Sequence, residues 1–384
     1  MLAQTPPMGW NSWNTFGENI NEQVIRDTAD AMVEKGLRDA GYEYVVIDDC
    51  WALRDRDENG KLVADPAKFP SGMKALADYV HSKGLKFGIY SCAGYRTCAD
   101  YPGSFDHEFE DAETFAEWGV DFLKYDYCNK PNLADGPLLY QRMSLALKAT
   151  GREILFSACN WGRDNVETWI RSAGAHMYRS TPDINDSFVS FTDLLWSKFA
   201  KDGRTATAPA YSAPGCYDDL DMLICGMYGK GNVGMGGCTP AEYKIHFALW
   251  CLFQSPLMIG CDVTKMDDAT LSLLTNKELL SINRDPECRP PIRVRLNDRP
   301  VFFKHLSGGE FLLAIFNLAE GDPEERCDGT TSKNLYDLGL TASCGYGFEG
   351  YEILTGEKLP LTKEYINTNI PPRDCKLYRV RIKK

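Results

Sequence analysis

The feature that most restricts the fold of this 384-residue chain is a repeated alternation running through about its first 290 residues, in which short β-rich apolar runs give way to longer amphipathic stretches. Such alternation is the pattern of βα units, in which helices join parallel strands and cover the sheet. Runs suited to strands lie at 8–11, 44–48, 86–90, 121–125, 153–157, 177–181, 205–209 and 256–259. Eight of them predict a (β/α)8 TIM barrel. The first helix reads most clearly, since Ile25, Ala29, Met32, Val33 and Leu37 fall on one face and Gly41 closes the segment. Similar stripes cover 73–82 and 112–118, and a further helix is expected over 240–253.

After Pro290 and Pro291 the pattern changes to strand-like runs at 301–305, 310–316 and 377–382, separated by Gly and Asp turns. This predicts a barrel over 1–291 followed by a small antiparallel β-sandwich domain over 292–384. Hydrophobic residues at 44% and charged residues at 25% allow a full core and exclude a mostly disordered chain. The net charge of -12 argues against nucleic acid and against anionic membrane surfaces as partners. No run approaches the ~18 apolar residues of a membrane span, and the first residues lack the basic and apolar regions of a secretion signal. The 14 cysteines show no framework spacing, which suits reduced thiols in a cytoplasmic protein. A homo-oligomer is neither required nor excluded.

In such a barrel the active site forms at the C-terminal ends of the strands. Those ends are acidic and aromatic. They carry Trp10 and Trp13, Asp48, Asp49 and Trp51, Tyr90, then Lys124, Tyr125 and Asp126, followed by Cys159, Asn160 and Trp161, and by Arg179 and Asp183. The loop expected after the seventh strand adds Asp218, Asp219 and Asp221. Carboxylates accept hydrogen bonds from sugar hydroxyls, and aromatic faces cover the C–H side of a pyranose. Two carboxylates can also cleave a glycosidic bond. Any one of these Asp residues alone reads as a helix cap or turn former, and each Trp alone as core packing. Their convergence on one rim points to a site. Lys124 and Asp126, two apart on a strand, share a face, so the cation can hold a carboxylate ionised as a nucleophile requires. A plain structural ion pair is the other reading of that pair. Five histidines without HExxH spacing make a His-built metal site improbable, and no GxSxG elbow occurs. Gly229, Gly231 and Gly234 match GxGxxG without a βαβ start, and residues 226–237 read instead as a loop edging the site.

The segments PPMGWNSW, VIDDCW, FGIYSCAG, TCADYPGSF, DFLKYDYCN, RSTPDINDSF, DLDML, SPLMIG and NKELLSINRDP resemble the motifs of glycoside hydrolase family 27, the α-galactosidase and α-N-acetylgalactosaminidase family. The resemblance implies a retaining exo-glycosidase without metal or organic cofactor, acting on an α-galactoside oligosaccharide. It makes Asp126 the nucleophile and Asp183 the general acid/base, with carboxyls roughly 5 to 5.5 Å apart. It sets Asp48, Asp49 and Lys124 at the galactose hydroxyls, Arg179 near the 2-hydroxyl, and Trp13 and Tyr90 against the ring. Asp219 would support Asp183, and Cys128 and Cys159 would line the floor. Asn160 and Trp161 fall in the loop that faces the sugar's 2-substituent.

The family's usual Cys98–Cys128 disulfide is implied, whereas the usual partners of Cys50 and Cys159 are replaced, with Gly17 and Ala175 near those places. Asn160 and Arg163 stand where small residues would admit an N-acetyl group, and Asp48 and Asp49 keep the short acid pair that leaves room for a 6-hydroxymethyl. Both favour galactose. The alternatives are an α-N-acetylgalactosaminidase, a β-L-arabinopyranosidase, or a sugar-binding barrel without turnover. GCYDDLDM departs from the family pattern and is followed by a glycine-rich stretch, so the leaving-group side can differ from relatives.

Overall fold

Eight short parallel strands form one sheet in a computed structural model that describes residues 2–197, 211–295, 299–320 and 330–384. They are β1 (Met8–Asn11), β2 (Tyr44–Val46), β3 (Lys86–Cys92), β4 (Phe122–Asp126), β5 (Leu155–Cys159), β6 (Met177–Arg179), β7 (Tyr217–Asp219) and β8 (Leu257–Ile259). Their order is β7-β6-β5-β4-β3-β2-β1-β8. The ring closes just beyond β7, where the Leu223 amide donates to the Met258 carbonyl at 2.7 Å and the Gly260 amide donates to the Leu223 carbonyl at 2.9 Å. This is the predicted barrel. The expected strand at 205–209 falls outside the described residues, and the seventh strand of the ring is the YDD segment, which the sequence pattern assigns to a loop. Two aspartates in three residues look like a turn. They tolerate the sheet because Asp218 and Asp219 are buried with partners, Asp218 with Ser180 and Asp219 with the Asp221 amide.

The barrel interior is filled by Tyr44, Val46, Phe122, Leu155, Met177, Met222 and Met258, so it is a packed core rather than a channel. Glycine is required at position 88, where a Cβ would sit 2.6 Å from Val46 Cγ2. Outside the ring, the helix Glu22–Glu34 is capped by the Asn21 side chain and buries Ile25, Ala29 and Met32. It stops short of the predicted stripe. Gly36 takes a left-handed φ of 74°, and Leu37 opens a separate short helix. The helix Pro240–Phe253 has a Thr239–Glu242 capping box and is buried on nearly every side. Its burial follows from its position between the ring and the C-terminal domain.

That domain holds a six-stranded antiparallel sheet in the order Lys358–Thr362, Gly347–Glu352, Asp374–Lys383, Glu310–Asn317, Val301–Leu306, Ile292–Arg295. Thr330–Asn334 pairs with Tyr365–Asn369 as a second layer. Phe303, Leu313, Ile315 and Val380 pack on one face of the large sheet, and Phe302, Leu312, Ala314 and Leu377 on the other join the barrel's core cluster. Both faces of the central strands are therefore covered, which explains their continuous apolar runs.

Candidate active site

The strand register lines up the polar residues at one end of the ring. Asp126 in β4 is paired with Cys159 in β5, Cys159 with Arg179 in β6, and Arg179 with Asp219 in β7. One layer lower, Lys124 is paired with Tyr90 and Ser157. Side chains of laterally paired residues leave a parallel sheet on the same side. A pocket opens here between Trp13, Tyr90 and Trp161, and its walls carry the carboxylates Asp48, Asp49, Asp126, Asp183 and Asp221 with the cations Lys124 and Arg179. Five carboxylates against two cations disfavour an anionic ligand and suit a neutral polyol or a developing positive charge.

Both oxygens of Asp126 are fixed. Tyr90 donates its hydroxyl to Oδ2 at 3.0 Å and the Tyr127 amide donates to Oδ1 at 2.9 Å. Burial pushes this carboxyl up to about 6, against the opposing pull of Lys124 and the Tyr127 amide. Lys124 donates to Asp48 Oδ2 at 2.8 Å, and the Asn11 amide reaches the same oxygen at 2.6 Å. The ammonium is buried, which works against its charge, but Asp48 above all holds it protonated. Asp49 accepts the Cys50 amide at 2.7 Å and the Ala99 amide at 3.1 Å, and burial still raises its pKa.

Across the pocket, Asp183 is far more open, with 73% of its side chain exposed. Partial burial pulls its pKa up, but Arg179 at 2.8 Å and the more distant Lys124 hold it below the usual carboxylate range. The pocket loops carry backbone strain. Trp161 has φ 56° and Asp221 φ 100°, both in the left-handed region that costs a non-glycine residue about 1–3 kcal/mol. At Asp221 the cost is offset by hydrogen bonds, since its carboxylate accepts the Ile184 and Met222 amides at 2.8 and 2.6 Å and pairs with Arg179 at 2.9 Å.

Among the residues expected from the sequence, Trp13, Asp48, Asp49, Tyr90, Lys124, Asp126, Trp161, Arg179 and Asp183 line this pocket. Trp10, Trp51, Tyr125 and Asp218, also expected at the rim, are buried and do not line it, and four more lie behind its surface. Cys159 is buried with its sulfur 3.9 Å from Arg179, and Asn160 is buried with its amide donating to the Arg163 carbonyl at 2.8 Å. Asp219 accepts the Asp221 amide at 2.9 Å, and burial pushes it up to about 6. Cys128 forms a disulfide with Cys98, which itself lines the pocket. Among the described residues, Cys98, Cys128 and Asp126 are the one group with metal-ligating atoms close together, and the two sulfurs are bonded to each other. Asp221, expected on the rim, and Val233, in the loop expected to edge the site, also line the pocket, whereas nothing in the sequence singles out Asn14, Ile184 or Met222.

The glycine-rich stretch is tied down beside the pocket. Its Gly229 amide donates to Asp186 Oδ2 at 2.6 Å, and the Asn232 and Val233 amides pair with the Thr15 and Asn14 carbonyls. No helix among the described residues is long and apolar enough to cross a membrane.

Comparison with known proteins accords with this geometry. Residues 5–285 match the family described as alpha galactosidase A, and residues 297–380 match the alpha galactosidase C-terminal beta sandwich domain. An alpha-galactosidase of Cyamopsis tetragonoloba is 41% identical over 98% of this chain and 86% of its own length. The crystal structure of alpha-galactosidase I from Mortierella vinacea superimposes with a TM-score of 0.88 at 32% identity, covering 99% of this chain and 97% of that one. A family 27 β-L-arabinopyranosidase from Geobacillus stearothermophilus is similar at a TM-score of 0.84 and 27% identity, with 99% and 97% covered. The chain belongs to the α-galactosidase family, glycoside hydrolase family 27.

Proposed function

We propose that this α-galactosidase releases terminal α-D-galactosyl groups from oligosaccharides by double displacement, with Asp126 as nucleophile and Asp183 as general acid/base. The observation that carries this reading is that Asp126 and Asp183 enter one pocket from β4 and from the loop after β6, the first immobilised and buried, the second exposed toward solvent. A nucleophile benefits from fixed orientation. A group that must first protonate the leaving oxygen and then take a proton from water benefits from access.

In the first step, Asp126 attacks the anomeric carbon as the bond to the leaving oxygen breaks, and Asp183 supplies the proton. In the second, Asp183 takes a proton from water, which attacks the same carbon and frees Asp126. Asp48, Asp49 and Lys124 sit together where they would hold sugar hydroxyls, while Trp13 and Tyr90 flank the ring position. The two acids are short and their oxygens are already engaged, which supports room for a 6-hydroxymethyl group and hence galactose over L-arabinopyranose. Trp161 and Arg179, both large, line the same pocket, and with Arg179 expected near the 2-hydroxyl this supports a hydroxyl over an N-acetyl group.

Rates on the p-nitrophenyl α-D-galactopyranoside, α-N-acetylgalactosaminide and β-L-arabinopyranoside test the specificity. The galactoside is expected to be turned over fastest by at least tenfold. Equal or faster turnover of either other glycoside overturns the galactose assignment.

A further inference from the structure

Arg179 is held unevenly. Its side chain is 5% exposed. One end, Nη1, pairs with Asp221 at 2.9 Å, and Asp221 is itself buried and pinned by two backbone amides. The other end, Nη2, donates to the Thr181 carbonyl at 3.1 Å and to Asp183 Oδ1 at 2.8 Å. Asp183 has no comparable anchorage, since Arg179 is its single hydrogen-bond partner among the described residues and most of its side chain is exposed. The guanidinium is therefore fixed at its Asp221 end, within the pocket wall, and exchangeable at its Asp183 end, where the pocket opens.

This arrangement poses a problem for the reaction. The first chemical step needs a proton on Asp183, whereas a charge-assisted bond from Arg179 favours the bare carboxylate. We propose that the pocket end of Arg179 transfers from Asp183 to the 2-hydroxyl of the bound galactoside, so that sugar binding itself loads Asp183 with the proton it then donates. The inference rests on the acid/base role proposed for Asp183 above. The balance is simple: the empty enzyme with ionised Asp183 takes up the sugar and one proton from solvent, and the complex holds Asp183 as the neutral acid. The proton later leaves with the departing hydroxyl.

The groups facing Asp183 set the direction of this change. Arg179 and Lys124 are the cations that act on it, and the carboxylates of Asp126 and Asp221 and the Cys159 thiol lie on its other sides. Once Arg179 turns to the sugar, Lys124 remains engaged with Asp48. The carboxylates then dominate, and the carboxyl gains affinity for a proton. Arg179 acts here as a positioning residue with respect to proton transfer, and Asp221 is the anchor that keeps it from following either partner out of the pocket.

Titration calorimetry of D-galactose and 2-deoxy-D-galactose, in buffers of different ionisation enthalpy at about pH 5.5, above the ordinary carboxylate range, reads the proton directly. Galactose binding to the wild-type enzyme is expected to take up between half and one proton, and 2-deoxygalactose less than a fifth of that. Asp183→Asn should abolish the uptake, while Asp126→Asn should keep it. Equal uptake with the two sugars, or uptake that survives in Asp183→Asn, overturns the transfer. The sugar comparison uses the unaltered enzyme and so does not depend on how a variant folds. Azide rescue of Asp183→Ala on an aryl galactoside tests the acid/base role separately. Rescue without sugar-dependent uptake defeats only the transfer, and absence of rescue defeats the role on which it rests.

Discussion

Asp126 and Lys124 illustrate how far single residues explain the site. Spacing by two on a strand places them on one face, and in the folded protein Lys124 lies close enough to counter the burial that pushes Asp126 up to about 6. A nucleophile must be ionised, so kcat/KM should fall as pH drops through about 6. Replacing the cation should move that acid limb upward by on the order of one pH unit. The pH profile of Lys124→Met on an aryl galactoside checks this, and an unmoved limb would detach Lys124 from the nucleophile. These two residues were legible because strand geometry alone puts them together. Asp221 is legible as a rim acid but not in its role, which depends on a left-handed backbone and on a bond to Arg179 from a different strand, neither of which local sequence encodes. Asn160 shows the reverse. It stands in a segment that reads as rim, yet its side chain is turned back to the Arg163 carbonyl.

At the scale of elements, alternation of apolar runs and helical stripes was enough to locate the strands other than the seventh within a few residues. The seventh failed because β7 is built of Tyr217, Asp218 and Asp219, whose carboxylates are buried against Ser180 and the Asp221 amide instead of being solvated. Hydropathy cannot distinguish these two fates. The glycine-rich stretch, expected to edge the site, does so, since Val233 lines the pocket. What holds it there is Asp186, buried after β6, which accepts the Gly229 amide and the Tyr243 hydroxyl at 2.8 Å, while its backbone pairs with Val233 and Gly237. Asp186→Ala should therefore cost on the order of 3 kcal/mol of stability. It should also raise KM for an α-galactosyl oligosaccharide more than for an aryl galactoside. Thermal unfolding and the two KM values check both parts, and a lower midpoint with unchanged KM values would leave the loop without influence on substrate.

Across the whole molecule, the barrel and the β domain share one apolar core cluster, with Phe302 of the domain packed edge-on to Phe253 of the barrel at 6.1 Å between centroids. A buried lysine sits in this junction. Lys304 donates to Gln254 Oε1 at 2.9 Å and to the Arg289 carbonyl, and burial pushes its ammonium down to about 7 despite the pull of Asp285 and Cys288. Between about 7 and the ordinary lysine value of about 10.4, the unfolded chain binds a proton that the folded chain does not. Folding stability should then rise with pH through this window, by on the order of 1 kcal/mol per pH unit for this group. Lys304→Met should lack that rise, so the unfolding temperature of the wild type should climb relative to that of the variant from about pH 7 to 9. Parallel profiles would show that Lys304 keeps its charge when folded. The two-part architecture was legible because the pattern changes at Pro290 and Pro291, but this junction was not, because a single Lys in an apolar strand gives no sign of which surface it meets.

The central claim is the division of labour between Asp126 and Asp183, and the anomeric configuration of galactosyl azide measures it most directly. Alanine at the nucleophile removes the group on the β face, so Asp126→Ala supplied with azide and an activated aryl α-galactoside should yield β-galactosyl azide. Asp183→Ala keeps the β-linked galactosyl-enzyme, which azide then opens from the α face, so the product should be α-galactosyl azide. The anomeric proton coupling in the NMR spectrum separates the two. β-Azide is expected from the first variant and α-azide from the second. The opposite assignment, or free galactose released at wild-type rate by Asp126→Ala, would contradict it.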